Sequence, residues 1–264
     1  MTGRIQYKGK KIFFRDKGKG NAIVLLHGFL ENQSMWDYFV KKLSAEYRVI
    51  TIDLPGFGKS ESFGRVHLME QMADCVNRVL KGCGVNKCLL LGHSMGGYVT
   101  LAFASKYPGK LKGFGLLHSH ALDDTPEARV NRSRAIEVVN SDRRAFIFNF
   151  FPELFAAENV SKYQKEIKKL HADAMETSPG AIVAALEGMK NRTDKLDVLI
   201  NSKVPVLFIL GKQDSRIPFE KTLAQAALPQ SAEIHVLSNV GHMGHIEARE
   251  KTLMAIEGFA KKVF

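Results

Sequence analysis

The sequence lacks several features that would place it in a special class of protein. No apolar stretch reaches the roughly 18–20 residues that a membrane-spanning helix needs. The first seven residues contain no apolar segment of the kind found in secretory signals. Only three of the 264 residues are cysteines, and their spacing matches no metal site. We therefore expect Cys75, Cys83 and Cys88 to be free thiols in a reducing compartment, with the cytoplasm as the default location.

Acidic residues are the minority among the charged ones. There are 38 lysines and arginines and 27 acidic residues, so the formal net charge is +11. A basic surface can attract nucleic acid, anionic lipid or an acidic carrier protein. The basic residues are scattered in short pairs such as Lys41-Lys42, and no nucleic-acid-binding motif accompanies them. We expect this charge to serve solubility, which leaves an acidic carrier protein as an open partner. Both a monomer and a homodimer fit the sequence.

Strand and helix patterns alternate along most of the chain. Continuous apolar runs, such as residues 22–26 and 204–210, are typical of strands that are covered on both faces. Helical patterns between such runs predict an α/β fold with a mostly parallel sheet of about eight strands flanked by helices. The alternation fails over residues 121–193, where several amphipathic helices follow one another. We predict a core from residues 1–120 and 194–264 with an inserted, all-helical segment between them.

A serine between glycines follows the apolar run at residues 89–91. The segment Gly92-His93-Ser94-Met95-Gly96 fits the G-x-S-x-G pattern of a sharp turn between a strand and a helix. Such a turn brings the positions two before and two after the serine too close to carry a Cβ atom, so glycine fits at both. It also leaves N–H groups at the start of the next helix near the serine oxygen. The pattern predicts a nucleophile elbow at Ser94.

On these residues the chain resembles the α/β-hydrolase fold superfamily, in its esterase and lipase-like branch. The segment His27-Gly28-Phe29 and the segment Asp-Leu-Pro-Gly-Phe-Gly-Lys-Ser at residues 53–60 are similar to two loops of that superfamily. The resemblance implies that the N–H groups of Phe29 and Met95 form an oxyanion hole. It also implies that the helical insertion is a cap over the active site.

A serine hydroxyl is a poor nucleophile at neutral pH and needs a base, which a third group must orient. In this superfamily the order along the chain is nucleophile, acid, histidine. Asp214 and His242 each follow a strand pattern directly and resemble the acid and the histidine. A carboxylate at 214 would accept the Nδ1–H of His242 and leave Nε2 facing Ser94. The sequence thus predicts a Ser94-Asp214-His242 triad that requires no metal and no organic cofactor.

Other residues compete for parts of this site. His245 is a weaker candidate for the base, and we expect His27 to be buried with hydrogen bonds to the backbone. Asp53, Asp123 and Asp124 are weaker candidates for the acid. We expect Trp36 to pack in the core rather than to line the pocket. The phenylalanines of the insertion either form an apolar wall above the substrate or pack the helices of the insertion together, and both roles stay open. The pocket-lining candidates are Trp36, His118, His120, Phe146, Phe150 and Phe151.

The predicted reaction is hydrolysis of a carboxylic ester or thioester of a small apolar acyl substrate, through an acyl-enzyme on Ser94. Two alternatives stay open. The same triad serves carbon–carbon bond hydrolases and menaquinone-pathway-type lyases of the superfamily, whose acidic substrates often meet an arginine of the cap. Arginines are available at positions 129, 132, 134, 143, 144 and 192. The other alternative is a small-molecule receptor that keeps the triad and hardly turns over.

Overall fold

One sheet of eight strands runs through the protein, and the computed structural model describes all residues from 1 to 264. The strands are β1 (Thr2–Tyr7), β2 (Lys10–Lys17), β3 (Ala22–Leu26), β4 (Arg48–Ile52), β5 (Cys88–His93), β6 (Leu111–Leu117), β7 (Val206–Gly211) and β8 (Ala232–Leu237). Their spatial order is β1-β2-β4-β3-β5-β6-β7-β8. β1 and β2 pair in antiparallel fashion, and β2 is also antiparallel to β4. All other pairs are parallel. The predicted α/β fold and strand number are confirmed.

Ten α-helices accompany the sheet, together with short 3-10 turns. They are α1 (Asp37–Leu43), α2 (Met69–Gly82), α3 (Met95–Lys106), α4 (Pro126–Phe150), α5 (Gln164–Met175), α6 (Pro179–Lys190), α7 (Leu196–Ile200), α8 (Phe219–Gln225), α9 (Gly244–Glu247) and α10 (Arg249–Val263). No helix combines the length and the apolar character that crossing a membrane requires. Cys75, Cys83 and Cys88 are free thiols in the structure.

The two faces of the sheet are both covered, and this explains the continuous apolar runs. Alternate residues of a strand point to opposite faces. In β3, Val24 and Leu26 pack into the larger apolar cluster, which includes side chains of α2 and α3. Ile23 and Leu25 pack into the smaller cluster, which includes side chains of α1 and α10. A strand buried on both faces has no position that favours a polar residue.

The helices α4, α5 and α6 all lie between β6 and β7. Thr125 caps the start of α4 by accepting a hydrogen bond from the N–H of Ala128, and Pro126 occupies its first turn. The helix is kinked at Asp142, whose backbone is not helical and whose side chain accepts from the N–H of Ala145. These helices fall within the predicted insertion at residues 121–193. Its division from the core as a cap stays a prediction.

Candidate active site

Ser94 lies at the turn between the last residue of β5 and the first residue of α3, with φ 50° and ψ −115°. A residue with a side chain rarely adopts a positive φ, and the cost is of order 1–3 kcal/mol. Neighbouring groups hold the turn: the N–H of Ser94 donates to the carbonyl oxygen of Leu117 at 2.9 Å. The Oγ of Ser119 donates to the carbonyl oxygen of Ser94, also at 2.9 Å. The end of β6 therefore maintains the strained serine.

The glycines around Ser94 are required by close backbone contacts. A Cβ atom at Gly92 would lie 2.1 Å from the carbonyl oxygen of Gly96. A Cβ atom at Gly96 would lie 2.7 Å from the carbonyl oxygens of Leu26 and His27. Both distances are far below van der Waals contact, and backbone cannot move aside as a flexible side chain can. The sharp turn that the sequence pattern predicted is present.

Asp214 follows β7 directly, and its carboxylate is surrounded by four N–H donors. Oδ1 accepts from the backbone N–H groups of Arg216 and Ile217, both at 2.9 Å. Oδ2 lies 2.9 Å from Nδ1 of His242 and 3.2 Å from Nδ1 of His118. Burial raises the pKa of Asp214, but His242 and His118 together lower it by a larger amount. The net pKa therefore lies far below its usual range. Asp214 is therefore an anion that orients two imidazole rings.

Ser94 and His242 both line one cavity of about 500 Å³. The cavity lies at the carboxyl ends of the parallel strands, where α/β sheets bind ligands, and α4 and α6 contribute to its wall. Most of the lining side chains are apolar, among them Phe29, Phe146, Phe150, Leu154, Leu186 and Met189. The structure thus places the predicted nucleophile and base in the wall of the same cavity.

Two backbone N–H groups beside Ser94 are available to a ligand. The N–H of Phe29 donates to no acceptor within the protein. Met95 is the first residue of α3, so its N–H has no acceptor within the helix. The ring of Phe29 packs edge-on against Phe150, with ring centroids 5.5 Å apart. These are the two donors that the resemblance assigned to an oxyanion hole, and that role stays a proposal.

The structure separates the pocket-lining candidates into two groups. Phe146 and Phe150 line the cavity. Phe151 does not, because it is fully buried and packs against Phe150 and His171. Trp36 is also fully buried and belongs to the smaller apolar cluster on the other face of the sheet. The pocket-lining expectation for Phe151 and Trp36 is therefore corrected: both are packing residues.

His118 and His120 also lie outside the cavity wall, which corrects that expectation for both. His118 has φ 49° and contacts Asp214, and a Cβ atom at Gly244 would lie 2.2 Å from its Nε2. His120 accepts from the N–H of Leu122 through Nδ1. Burial lowers the pKa of His118 and of His120 to about 4, so both are neutral at pH 7. The sequence placed His118 at the correct sheet edge and missed its contact with the acid.

The other candidates for base and acid are engaged elsewhere. His27 is buried, with Nδ1 2.8 Å from the carbonyl oxygen of Gly28 and Nε2 accepting from the N–H of Leu54, as predicted. Asp53 accepts from the backbone and side chain of Gln33. In the insertion, Asp123 pairs with Arg129, and Asp124 pairs with Arg132 and Arg192. His245 lies behind the site, near the carboxylate of Glu31.

Two clusters have the composition of metal-ligand sets. They are His118, Asp214 and His242, and Glu31, His93 and His245. In the first cluster each histidine directs Nδ1 at the same carboxylate oxygen, so N–H donation accounts for both contacts. The second cluster is buried beneath Ser94, and the sequence analysis did not anticipate it.

The chain matches a known family over most of its length: residues 21–249 match the family model of the alpha/beta hydrolase fold. A solved structure of a thermophilic esterase from Thermogutta terrifontis is 33% identical, with a TM-score of 0.94 and coverage of 100% of this chain and 99% of that one. A 2-hydroxy-6-oxononadienedioate/2-hydroxy-6-oxononatrienedioate hydrolase from Burkholderia vietnamiensis is 26% identical over 268 residues, covering 91% of this chain and 88% of the relative.

A third relative is longer than this chain. The dihydrolipoyllysine-residue acetyltransferase component of the acetoin cleaving system from Pseudomonas putida is 29% identical over 247 residues. The match covers 92% of this chain and only 64% of that relative. The esterase and the Burkholderia hydrolase match along most of their own length, and they support a hydrolase here. As its motifs predicted, the chain belongs to the alpha/beta hydrolase fold family.

Proposed function

We propose that the protein is a serine hydrolase that cleaves a carboxylic ester or thioester with a small apolar acyl group. One observation carries the proposal: Ser94 on a strained turn and His242, oriented by Asp214, open into the same apolar cavity. The 33% identity to an esterase over the whole chain supports the choice of an ester.

The first step is attack of Ser94 Oγ on the carbonyl carbon of the ester. Nε2 of His242 accepts the hydroxyl proton, and the carbonyl π electrons move onto its oxygen to give a tetrahedral intermediate. Oδ2 of Asp214, which lies 2.9 Å from Nδ1 of His242, accepts the Nδ1–H, so Nε2 carries the free electron pair before attack. The same carboxylate then stabilises the imidazolium that forms.

The negative charge that develops on the carbonyl oxygen is stabilised by the N–H groups of Phe29 and Met95. Removing one such donor typically costs about 2.7–4 kcal/mol of transition-state stabilisation. The Met95 donor also lies at the N-terminus of α3, where the helix dipole favours negative charge. Met95 follows Ser94 directly at the end of β5, and Phe29 lies in the loop after β3.

Collapse of the intermediate expels the alcohol or thiol, which takes the proton from Nε2 of His242. The acyl group is then an ester of Ser94. A water molecule loses a proton to Nε2 and attacks this ester, and the second tetrahedral intermediate releases the carboxylic acid while Ser94 regains its proton. These steps use only groups of this chain and water.

The cavity wall favours an uncharged acyl group. Its two arginines already have carboxylate partners: Arg132 pairs with Asp124, and Arg216 pairs with Glu153. The rest of the wall is mainly aliphatic and aromatic. A charged acyl chain that took Arg132 from the buried carboxylate of Asp124, or that stayed unpaired beside apolar side chains, would incur a large cost.

Hydrolysis of a carbon–carbon bond in an acidic dienone is the second candidate. Arg132 of the insertion lies in the cavity wall, where a substrate carboxylate could compete with Asp124 for it. A relative that carries such a name is 26% identical. We expect p-nitrophenyl esters of rising chain length to be hydrolysed and an acidic dienone to be left intact. Faster cleavage of the dienone would reverse the order of the two candidates.

Burst kinetics separate the enzyme from a triad-bearing receptor. With excess p-nitrophenyl acetate, we expect continued steady release of p-nitrophenol, because His242 can activate water at the acyl-enzyme. A single stoichiometric burst without further turnover, together with tight binding of a small molecule, would instead identify a receptor.

Replacing Phe150 with alanine should change chain-length preference without unfolding the protein. Phe150 lines the cavity and is only half-buried, so its removal widens the acyl site. We expect kcat/KM for a longer ester relative to acetate to rise on the order of tenfold. Phe151→Ala is the matched comparison, because Phe151 is the next residue in the chain and its ring is fully buried outside the cavity. That variant should lose about 3–5 kcal/mol of unfolding free energy with its ester preference unchanged. An equal change of preference in both variants would contradict this assignment.

Replacing His118 with asparagine should lower kcat and leave KM unchanged. His118 donates to Asp214 and does not line the cavity, and asparagine tolerates its positive φ. A hydrogen bond to a charged group is worth about 1.5–3 kcal/mol, so we expect kcat to fall on the order of tenfold or more. His120→Asn is the control, since that ring contacts its own backbone segment and not Asp214. Similar losses in both variants would show that the contact with Asp214 is unimportant.

A further inference from the structure

A second cluster of titratable groups lies directly beneath the proposed site. His93 is the residue before Ser94, and its side chain is 2% exposed. Its Nδ1 lies 3.0 Å from Oε2 of Glu31, and its Nε2 lies 2.9 Å from the carbonyl oxygen of His242. The steps derived above use neither His93 nor Glu31. Both groups are nevertheless buried, polar and in contact with the proposed machinery.

The two contacts of His93 place opposite demands on a neutral ring. A carbonyl oxygen only accepts hydrogen bonds, so Nε2 must carry a proton. A neutral imidazole has only one N–H, and its Nδ1 would then direct a lone pair at the carboxylate of Glu31. Three arrangements remove this conflict: a proton on both ring nitrogens, a proton on Glu31, or a metal ion between them.

The surroundings of Glu31 favour the first arrangement. Its Oε2 already accepts the N–H of Gly28 at 3.1 Å, and its Oε1 lies 3.3 Å from Nε2 of His245. Oε2 therefore has one certain N–H donor besides its contact with His93, whereas Oε1 has a nitrogen nearby but no hydrogen bond. A cation and an anion in contact also offset each other's cost of burial.

The pKa directions agree with this geometry. Burial raises the pKa of Glu31, but His93 and His245 together lower it by a larger amount, so the net pKa lies well below its usual value. Burial lowers the pKa of His93, but Glu31, the carbonyl group of His242 and Asp214 together raise it by more, so the net pKa lies above its usual value. For His245, burial outweighs the effect of Glu31, so its pKa is lowered and the ring is neutral at pH 7.

We propose that His93 is an imidazolium paired with the Glu31 carboxylate, and that this buried ion pair positions the Phe29 loop and His242 around Ser94. Glu31 holds the N–H of Gly28, the residue before the proposed oxyanion donor Phe29. His93 donates to the carbonyl oxygen of His242, and the N–H of His242 donates to the carbonyl oxygen of Leu154 at 2.6 Å. The peptide groups of the proposed base are thus fixed on both sides.

His93 and Glu31 are positioning residues, since neither lines the cavity. A hydrogen bond with a charged donor is roughly twice as strong as a neutral one. Charge on His93 therefore gives the backbone of His242 a firmer attachment than a neutral ring would. The titratable groups that face His93 from the surrounding elements are His27, Glu31, His118, Asp214, His242 and His245.

Nitrogen NMR of the protein labelled with ¹⁵N-histidine tests the protonation state directly. We expect both ring nitrogens of His93 to be protonated at pH 7.5. His27 is the internal control: it is equally buried, its Nε2 accepts from Leu54, and it should carry one ring proton. An unprotonated Nδ1 at His93 would overturn the proposal. A change in the His93 resonances on adding a chelator would overturn it too, because it would reveal a metal ion.

Glu31→Gln tests the pairing, because it removes the anion and keeps a side chain that can donate to Nδ1. In this variant we expect His93 to lose one ring proton while Nε2 still donates to His242. A doubly protonated His93 in the variant would show that Glu31 is not its partner. The NMR measurements stand whether or not Ser94 is the nucleophile, so they can also be made on Ser94→Ala.

The kinetic consequence rests on the proposed function. We expect Glu31→Gln to lower kcat for an ester on the order of tenfold, with KM unchanged, because the site loses its positioning and the cavity wall stays intact. An unchanged kcat in a variant whose His93 has become neutral would overturn the positioning role and leave the nucleophile assignment untouched.

Stability should follow pH with a defined sign. The raised pKa of His93 contributes stability that is complete below its usual value of 6.5 and is lost as pH rises through the folded value. The lowered pKa of Glu31 contributes stability above its usual value of 4.5 that is lost as pH falls through the folded value. The Tm difference between the wild type and Glu31→Gln should therefore be largest between pH 4.5 and pH 6.5. It should become smaller at lower and at higher pH. A difference that does not vary with pH would contradict the ion pair.

Discussion

Ser94→Ala is expected to abolish ester hydrolysis while the protein remains folded. Without Oγ the proposed nucleophile is absent, and His242 has no hydroxyl at position 94 to activate. Removal of a serine nucleophile lowers kcat on the order of 10⁵-fold or more, and the residual rate comes from the oxyanion donors and substrate binding. The measurement is steady-state hydrolysis of p-nitrophenyl acetate, with circular dichroism to confirm the fold.

Two comparisons make this result specific. Ser161→Ala removes an exposed serine far from the motif and should leave turnover as in the wild type. Mass spectrometry after brief treatment with an activated ester should show one added acyl group on the wild type and none on Ser94→Ala. Undiminished turnover or acylation in Ser94→Ala would refute the proposed mechanism.

Asp214→Asn has the second-largest expected effect. The carboxylate accepts from four donors, two on each oxygen, whereas an asparagine offers one oxygen and one NH₂ group. Whichever way the amide turns, its NH₂ meets two N–H groups. The asparagine must therefore release either the two imidazole rings or the backbone N–H groups of residues 216 and 217. Disorder or the wrong tautomer at His242 should lower kcat on the order of 10⁴-fold.

Asp123→Asn is the matched control for this variant. Asp123 also belonged to the sequence candidates for the acid, but it is half-exposed and pairs only with Arg129 on the surface. We expect its kcat, KM and Tm to remain within experimental error of the wild type. Loss of activity in Asp123→Asn, with activity retained in Asp214→Asn, would show that Asp214 is not the acid of the triad.

Local sequence patterns were sufficient for the features that depend on backbone geometry within a few residues. The glycines at 92 and 96 are needed because the turn at Ser94 brings backbone atoms within 2.1–2.7 Å of any added Cβ. The apolar runs of the strands follow from burial on both faces of the sheet. Such constraints act on consecutive residues, so the order of residues alone reveals them.

The phenylalanines of the insertion show where local patterns stop being informative. Phe150 and Phe151 are adjacent and chemically identical, yet one lines the cavity and the other is buried against His171. On a helix, consecutive side chains point about 100° apart. The orientation of α4 relative to the sheet determines which of the two rings points toward the substrate. That orientation depends on packing between residues far apart in the chain.

The sequence also could not distinguish the roles of the histidines. Five of them, His93, His118, His120, His242 and His245, lie near the ends of β5, β6 and β8, and residue type alone cannot separate their roles. Contacts with residues more than 20 positions away do so: Asp214 orients His242 and His118, and Glu31 pairs with His93. Burial then lowers the pKa of His118, His120 and His245, whereas the groups around His93 outweigh its burial and raise its pKa.

The amino-acid sequence by itself determined the fold, the sharp turn at Ser94 and the candidates for the three triad positions. It could do so because backbone sterics and two-sided burial restrict the residues allowed at each of these places. Only the tertiary structure decided which aromatic rings face the cavity, that a second histidine shares Asp214, and that Glu31 lies beside His93. Those facts depend on distances between segments far apart in the chain, and no short-range pattern encodes such distances.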